Sequence, residues 1–194
     1  MRYHRSDVVE RALDVLDRYG LADLSMRRLA ADMGVAPSAL YHHVANKQTL
    51  LAAVADAILV RGRRPRRAAT WDGRVGEVCA ELRDAMLAYR DGADVVATVH
   101  AFGLGAAGPA EELDEVLLEA GLDPGLAAVA TRTLLHYVFG HAHDEQMTLQ
   151  ANSAGAIDRR PRDTADFGLG LGLILDGLRT HLPAEDVSRL AGGR

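Results

Sequence analysis

Apolar residues recur every three or four positions along most of the chain, which is the spacing of one face of an α-helix. In the first such segment Val9, Leu13 and Leu16 follow at i, i+4 and i+7, and Gly20 then ends the pattern. No stretch alternates β-branched or aromatic residues with polar ones over the length of a strand. Because Ala, Leu and Arg, which favour helices, are also abundant, the sequence predicts an all-α fold.

Capping residues and breakers divide this pattern into separate helices. Ser25 is a suitable N-cap for the second helix, Gly34 ends it, and Pro37 suits the first turn of the third. Asn46 opens a longer fourth helix that runs at least to Ile58. Gly and Pro clusters then separate five more helices. The predicted helices are 7–19, 26–33, 37–44, 46–58, 72–90, 93–100, 109–120, 124–150 and 164–182.

The segment Arg61–Arg67, RGRRPRR, contains Gly and Pro and is predicted to connect two domains. The first domain covers 1–60, with the fourth helix and the connector continuing to about residue 67, and the second covers 68–194. Residues 1–67 hold 12 Lys and Arg against 7 Asp and Glu, whereas residues 68–194 hold 10 against 20. The net charge of −5 therefore hides a basic first domain, which can attract phosphates, attached to an acidic second domain.

Composition restricts the class of protein further. Hydrophobic residues make up 48% of the 194 residues, enough to bury a sizeable core. The single cysteine, Cys79, excludes an internal disulfide framework and a cysteine-based zinc cluster. No stretch of about 18 uninterrupted apolar residues and no secretory signal pattern is present. We therefore expect a soluble, cytoplasmic protein with no membrane partner.

The second and third helices carry the most specific pattern. A short helix, a tight turn at Gly34 and a second short helix form the geometry that places a recognition helix in the major groove of DNA. Arg27 can donate two hydrogen bonds to guanine or bind a phosphate. All-helical proteins also contain such pairs without binding DNA, and there residues such as Tyr41 and His43 pack at a domain surface.

Residues 24–54, LSMRRLAADMGVAPSALYHHVANKQTLLAAV, resemble the signature of the TetR family of repressors. The resemblance implies a homodimer that binds a palindromic, double-stranded operator through an N-terminal three-helix helix-turn-helix domain. It also implies that Arg27 reads a base and that Tyr41, His43 and Lys47 hold the DNA backbone. Pattern and resemblance together predict DNA contacts at Ser25, Arg27, Pro37, Ser38, Ala39, Tyr41, His42, His43 and Lys47.

Three later segments, AYRDGADV (88–95), LLHYVFGHAHDEQ (134–146) and FGLGLGLILDGL (167–178), resemble the tetracycline-repressor branch of this family. The resemblance implies a C-terminal helical domain for ligand binding and dimerisation. In that branch the helices predicted over 124–150 and 164–182 form a four-helix bundle with a second subunit. A nucleotide-binding loop is the alternative for the glycines of 167–178, but no strand precedes them.

The resemblance also predicts a small-molecule inducer, with no cofactor. Val96 and Val78 stand where the branch has its metal-binding histidine and its ring-recognising asparagine, so the expected inducer is mainly apolar and is not a tetracycline–magnesium complex. His136 aligns with a ligand-facing histidine. For most of the candidates, burial in an ordinary core is an equally good interpretation. The predicted ligand contacts are Arg63, Leu82, Met86, Val96, His100, Phe102, Thr131, Leu135, His136, Asp144 and Met147.

A metal-dependent helical enzyme using His136, His143 and Asp144 is the alternative hypothesis. His136 and His143 are two turns apart, so about 10 Å of helical rise separates them. No nucleophile–base pairing or phosphate-binding loop is evident in the sequence. The sequence therefore favours a ligand-responsive transcriptional repressor that is not an enzyme and holds no metal. The connector Arg61–Arg67 is interpreted as a solvated linker, with phosphate contact or the pocket mouth as alternatives.

Overall fold

The computed structural model describes residues 3–158 and 164–183, which form nine α-helices and no strand. The predicted all-α fold is confirmed. The helices are α1 (Arg5–Tyr19), α2 (Met26–Asp32), α3 (Pro37–Tyr41), α4 (Lys47–Gly62), α5 (Trp71–Leu87), α6 (Gly92–Ala101), α7 (Gly108–Glu119), α8 (Pro124–Ser153) and α9 (Thr164–Arg179).

Helices α1 to α4 form an N-terminal head around a small apolar core. The predicted caps are confirmed, because the Ser25 hydroxyl accepts a hydrogen bond from the Arg28 backbone N–H at 3.2 Å. The Asn46 side chain likewise accepts one from the Thr49 backbone N–H at 2.8 Å. Helix α3 ends at Tyr41, before the predicted residue 44. The fully buried core side chains of the head include Leu13, Leu16, Leu24, Leu29, Leu40, Leu50 and Ile58.

Helix α4 continues through Arg61 and Gly62, so the prediction that these two residues belong to the connector is wrong. A Cβ atom at Gly62 would lie 2.5 Å from the Ala85 Cβ, which shows how closely α4 crosses α5. The connector is therefore residues 63–70, and it is not simply a solvated linker. The Arg66 guanidinium donates to Glu81 on α5 at 2.7 Å and to Glu112 on α7 at 2.6 Å.

Helices α5 to α9 form the body, in which the 30-residue α8 is the longest element. Helix α9 packs through Phe167, Leu171 and Leu175. Gly170 permits a close approach, since a Cβ there would lie 2.4 Å from the Tyr137 hydroxyl oxygen. Helix α9 ends at Arg179 rather than at the predicted residue 182, and residues 184–194 of the predicted second domain lie outside the described ranges.

Helix α4 joins head and body, because it packs against α1 on one side and against α5 and α6 on the other. Its buried residues Val54, Ala55 and Ile58 belong to the continuous apolar core of the chain. Helix α4 of the head is therefore in direct contact with α5 and α6 of the body. Of the helices described, none combines the length and the apolar character that crossing a membrane requires.

Candidate DNA interface and ligand cavity

The short helix α3 and its flanking residues have one side buried in the head and the other side exposed. Leu40 and Val44 are buried, whereas Ala36, Ser38 and Tyr41 are exposed, with 51% of Tyr41 accessible. The turn before α3 depends on Gly34, whose φ of 66° lies in the left-handed region that favours glycine. This arrangement leaves the start of α3 open to a partner as large as a DNA duplex.

Arg27 and Arg28 are adjacent in α2 but differ in their contacts. The Arg28 guanidinium lies 3.8 Å from the centre of the Tyr19 ring and donates to Asp23 at 2.7 Å. The Arg27 side chain is exposed and makes no hydrogen bond or ion pair within residues 3–158 and 164–183. Arg27 is thus the arginine of α2 that is available to an external anion.

All nine predicted DNA contacts are exposed or half-buried, as a direct contact requires. Lys47 lies in the first turn of α4 and forms no ion pair among the described residues. Half-buried positions are Ala39, His43 and Lys47, and exposed ones are Ser25, Arg27, Pro37, Ser38, Tyr41 and His42. Ser25 has a second role, since its hydroxyl caps α2.

A cavity of about 160 Å³ lies between α4, the connector, α5 and α7. An engineered apolar cavity of roughly 150 Å³ accommodates benzene, so the volume suits a compact ring or a short chain. Helices α4 and α5 supply the apolar part of the wall, and the charged lining residues are Asp56 on α4, Arg63 and Arg66 in the connector, Glu81 on α5 and Glu112 on α7. Its lining residues are Asp56, Leu59, Val60, Arg63, Arg66, Val78, Glu81, Leu82, Ala85, Ala106, Gly108, Pro109 and Glu112.

Three of the five charged residues in the lining are paired with one another. Arg66 binds Glu81 and Glu112, and its hydrogen bond to Glu112 holds the pKa of that carboxyl below its usual range. Asp56 on α4 accepts a hydrogen bond at Oδ1 from the Ala106 backbone N–H at 2.8 Å. Arg63 is exposed and forms no ion pair with any described residue. The ionic groups that this cavity leaves for a ligand are therefore Asp56 Oδ2 and Arg63.

The predicted ligand contacts separate into three groups. Arg63 and Leu82 line the cavity. The second group does not line the cavity. It includes the half-buried His100, whose Nδ1 lies 3.3 Å from the Ala106 carbonyl oxygen and whose ring centre lies 5.4 Å from that of Phe139. Four further residues are buried in the core outside the cavity lining, namely Met86, Val96, Thr131 and Leu135.

The third group lies on the surface of the single chain. Phe102 is 69% accessible and Met147 is 53% accessible. His136 and Asp144 are also exposed, on the same long helix as Met147. In the single chain none of the four borders the cavity. The predicted ligand contacts at His136, Asp144 and Met147 therefore lie outside this cavity.

Sequence reasoning missed the polar lining residues Asp56, Glu81 and Glu112. One signal for Asp56 was available, because it is the single acidic residue of α4, in an otherwise apolar run of the sequence. Glu81 and Glu112 carried no comparable signal. Their role depends on Arg66, which the fold brings to them from the connector.

The enzyme hypothesis placed His136, His143 and Asp144 at one metal ion. His143 instead places its Nδ1 2.9 Å from Oδ1 of Asp94 on α6. Within the described ranges no three His, Cys, Asp or Glu side chains come together in an arrangement that could hold a metal ion. The geometry thus offers no support for that alternative.

Two sequence families match the two halves of the chain. Residues 8–54 match the family described as bacterial regulatory proteins, tetR family, and residues 64–166 match the tetracyclin repressor-like C-terminal domain. The chain belongs to the TetR family. The resemblance seen in the sequence is confirmed, and the exposed α3 of this TetR-family chain lies in its helix-turn-helix domain.

Relatives of known identity support this assignment over nearly the whole length. The class C tetracycline repressor of Escherichia coli is 31% identical, with 97% of each chain covered. Mycobacterium smegmatis BioQ is 42% identical with a TM-score of 0.86, covering 93% of this chain and 99% of its own. The structure of BioQ bound to its natural double-stranded DNA operator is 40% identical with a TM-score of 0.78, covering 93% of this chain and 100% of its own. A TetR variant of Acinetobacter baumannii AYE in complex with minocycline is 30% identical with a TM-score of 0.76, covering 92% of this chain and 98% of its own.

Proposed function

We propose that this TetR-family chain is a transcriptional repressor that binds a palindromic operator as a homodimer and is released by a small, mainly apolar molecule. The observation that carries the proposal is the exposed α3 beside Arg27, whose guanidinium has no partner among the described residues. BioQ with its operator and the Acinetobacter TetR variant with minocycline support the two halves of this proposal. We propose no catalytic activity and no cofactor for this protein, and we propose that it acts in the bacterial cytoplasm.

Helix α9 offers the surface for the second subunit. Its inward residues are buried, but Leu169 and Leu173 on the other side are 70% and 76% accessible. A Cβ atom added at Gly168 or Gly172 beside them would meet no atom within 4 Å in the described part of the chain, so another helix can approach closely. A two-fold dimer formed there would present two α3 helices, and half-sites one helical turn apart require a spacing of about 34–36 Å.

The cavity bounded by Leu82 and Arg63 is the proposed inducer site. Its apolar wall favours a compact apolar body, and Asp56 and Arg63 can each bind one polar group of the ligand. Val78 lies in this lining and Val96 is buried in the core, so neither supplies the histidine or asparagine of a tetracycline site. Contacts at His136, Asp144 and Met147 stay predictions for the dimer.

The test compares Arg27→Ala with Arg28→Ala in selection of DNA from a randomised duplex pool. Loss of the Arg27 guanidinium is expected to weaken specific binding by about 1–3 kcal/mol and to relax the preference at one base pair. Arg28→Ala is the matched control, because Arg28 already binds Tyr19 and Asp23. It should keep the selected sequence unchanged. A wild-type protein that enriches no sequence would contradict the proposed function.

A further inference from the structure

Asp56 connects the head to the turn that follows α6. It lies on α4, and its Oδ1 accepts the backbone N–H of Ala106 at 2.8 Å. The same carboxylate borders the cavity, as does Ala106. One side chain of the head helix therefore contacts both the proposed ligand space and the backbone of the body.

The backbone at Ala106 is in a conformation that needs support. Its φ of 57° is in the left-handed region, which a residue with a Cβ rarely adopts, and the residue is buried. Such a conformation persists where surrounding contacts fix it. Here Asp56 binds the N–H, and His100 lies with its Nδ1 3.3 Å from the carbonyl oxygen.

Gly105 allows the turn to come this close. A Cβ at residue 105 would lie 3.1 Å from Asp56 Oδ1 and 3.4 Å from Oδ2, which is tighter than ordinary contact. The glycine thus leaves the space that the carboxylate occupies. Asp56 and Gly105 are two independent positions at which the contact can be disturbed.

Helix α4 can carry a change at Asp56 to the DNA-binding end. Lys47, a predicted phosphate contact, and Asp56 belong to the same helix, nine residues and about 13 Å apart along the axis. Helix α4 is a continuous helix of 16 residues that packs on both α1 and α6. Release of the turn from Asp56 therefore changes how α4 is held.

We propose that Asp56 is a positioning residue that couples the cavity to operator binding. In the ligand-free repressor its hydrogen bond to Ala106 fixes the 102–107 turn on α4 and holds the head in the DNA-binding orientation. A ligand that reaches the carboxylate takes over this acceptor, frees the turn and lets α4 move. This inference rests on the proposed function, in which a ligand controls operator binding.

The experiment compares Asp56→Ala, Asp56→Asn and Gly105→Ala with the full-length wild type, without any ligand. Two quantities are measured: the hydrogen-exchange rate of the Ala106 amide, and the affinity for the duplex selected with the wild type. Asp56→Ala should raise the exchange rate and weaken operator binding, each about tenfold, since a hydrogen bond to a charged acceptor is lost. Asp56→Asn should retain most of both, because its amide oxygen can accept the same N–H.

Gly105→Ala should change both quantities in the same direction as Asp56→Ala while leaving the carboxylate in place. Glu111→Ala is the control, because Glu111 is an exposed carboxylate of α7 outside the cavity lining. Thermal unfolding monitors folding, and if Asp56→Ala does not fold, Gly105→Ala decides. Wild-type operator affinity in Asp56→Ala, or equal losses in Asp56→Ala and Asp56→Asn, would overturn the inference and leave the proposed function intact. Failure of the wild type to select DNA would instead count against the proposed function, and the exchange rates would still test the contact.

Discussion

Asp91 joins the head to the body, because its Oδ2 accepts the Leu21 backbone N–H at 2.7 Å in the turn between α1 and α2. Its Oδ1 accepts a hydrogen bond from the Gln150 side chain of α8, also at 2.7 Å. Asp91 directly precedes α6 and has a φ of 55°. With the Asp56–Ala106 contact after α6, both ends of this helix are hydrogen-bonded to the head.

Replacing Asp91 by Ala should lower the free energy of unfolding by about 2–3 kcal/mol. Two buried or half-buried donors lose their acceptor, and alanine is less suited than aspartate to the left-handed conformation. Asp91→Asn should cost about 1 kcal/mol, because asparagine tolerates this conformation and keeps one acceptor oxygen. Urea unfolding followed by circular dichroism measures both.

Asp94→Ala is the control for Asp91, since Asp94 forms an exposed contact with His143 one turn further along α6. Its effect should be below about 1 kcal/mol. An Asp91→Ala protein as stable as Asp94→Ala would show that the Leu21 and Gln150 contacts contribute little.

Gly20 and Gly34 both have positive φ, 84° and 66°, so alanine is strained at either position. The strain is larger at Gly20, because its ψ of 174° places it in a region that essentially only glycine adopts. A Cβ at Gly34 meets no atom within 4 Å, whereas one at Gly20 would lie 2.6 Å from Asp91 Oδ2. Gly20→Ala should therefore be clearly the more destabilising of the two in thermal unfolding. Equal effects would contradict both the crowding against Asp91 and the larger backbone strain at Gly20.

The contact between the connector and α7 should weaken in acid. The hydrogen bond from Arg66 lowers the pKa of Glu112 in the folded protein, so the contribution of Glu112 to stability is complete above its unfolded pKa of about 4.3. It is lost as the pH falls through the lower, folded value. Glu112→Gln should thus be destabilised by about 1 kcal/mol at pH 7, because the pair is partly exposed. The difference from the wild type should vanish in strong acid, and a difference that stays constant with pH would contradict the assignment.

Leu173→Glu should disrupt the dimer proposed at α9. Burying a carboxylate at the seam between two copies is costly, so the dissociation constant should rise by at least about tenfold. Sedimentation equilibrium measures this constant. Leu118→Glu is the control, because Leu118 is an exposed leucine of α7. If both variants dimerise like the wild type, the α9 face is not the interface.

The features that the sequence predicts well are those decided locally. Ser25 and Asn46 cap helices through their own side chains, and Gly34 makes its turn through its own backbone. The exposure of Arg27 and Tyr41 follows from the same short segment. These caps, turns and exposed positions can be predicted because the residues that determine each of them lie within a few positions along the chain.

The features that the sequence does not predict depend on distant packing. Helix α4 extends to Gly62, where the missing Cβ leaves room for Ala85, more than twenty residues away. The cavity combines four segments, so Asp56 gives no sign of its contact with Ala106. His136 belongs to a correctly predicted helix, but its neighbours decide which side faces outward.

Operator binding as a homodimer is tested most directly by counting the chains bound to the duplex that the wild type selects from a randomised pool. Native mass spectrometry of the complex gives this number, and sequencing gives the symmetry of the selected site. A repressor that binds its operator as a homodimer should select an inverted repeat that carries two chains, one α3 for each half. Selection of no sequence, or a single chain bound to the selected duplex, would contradict it.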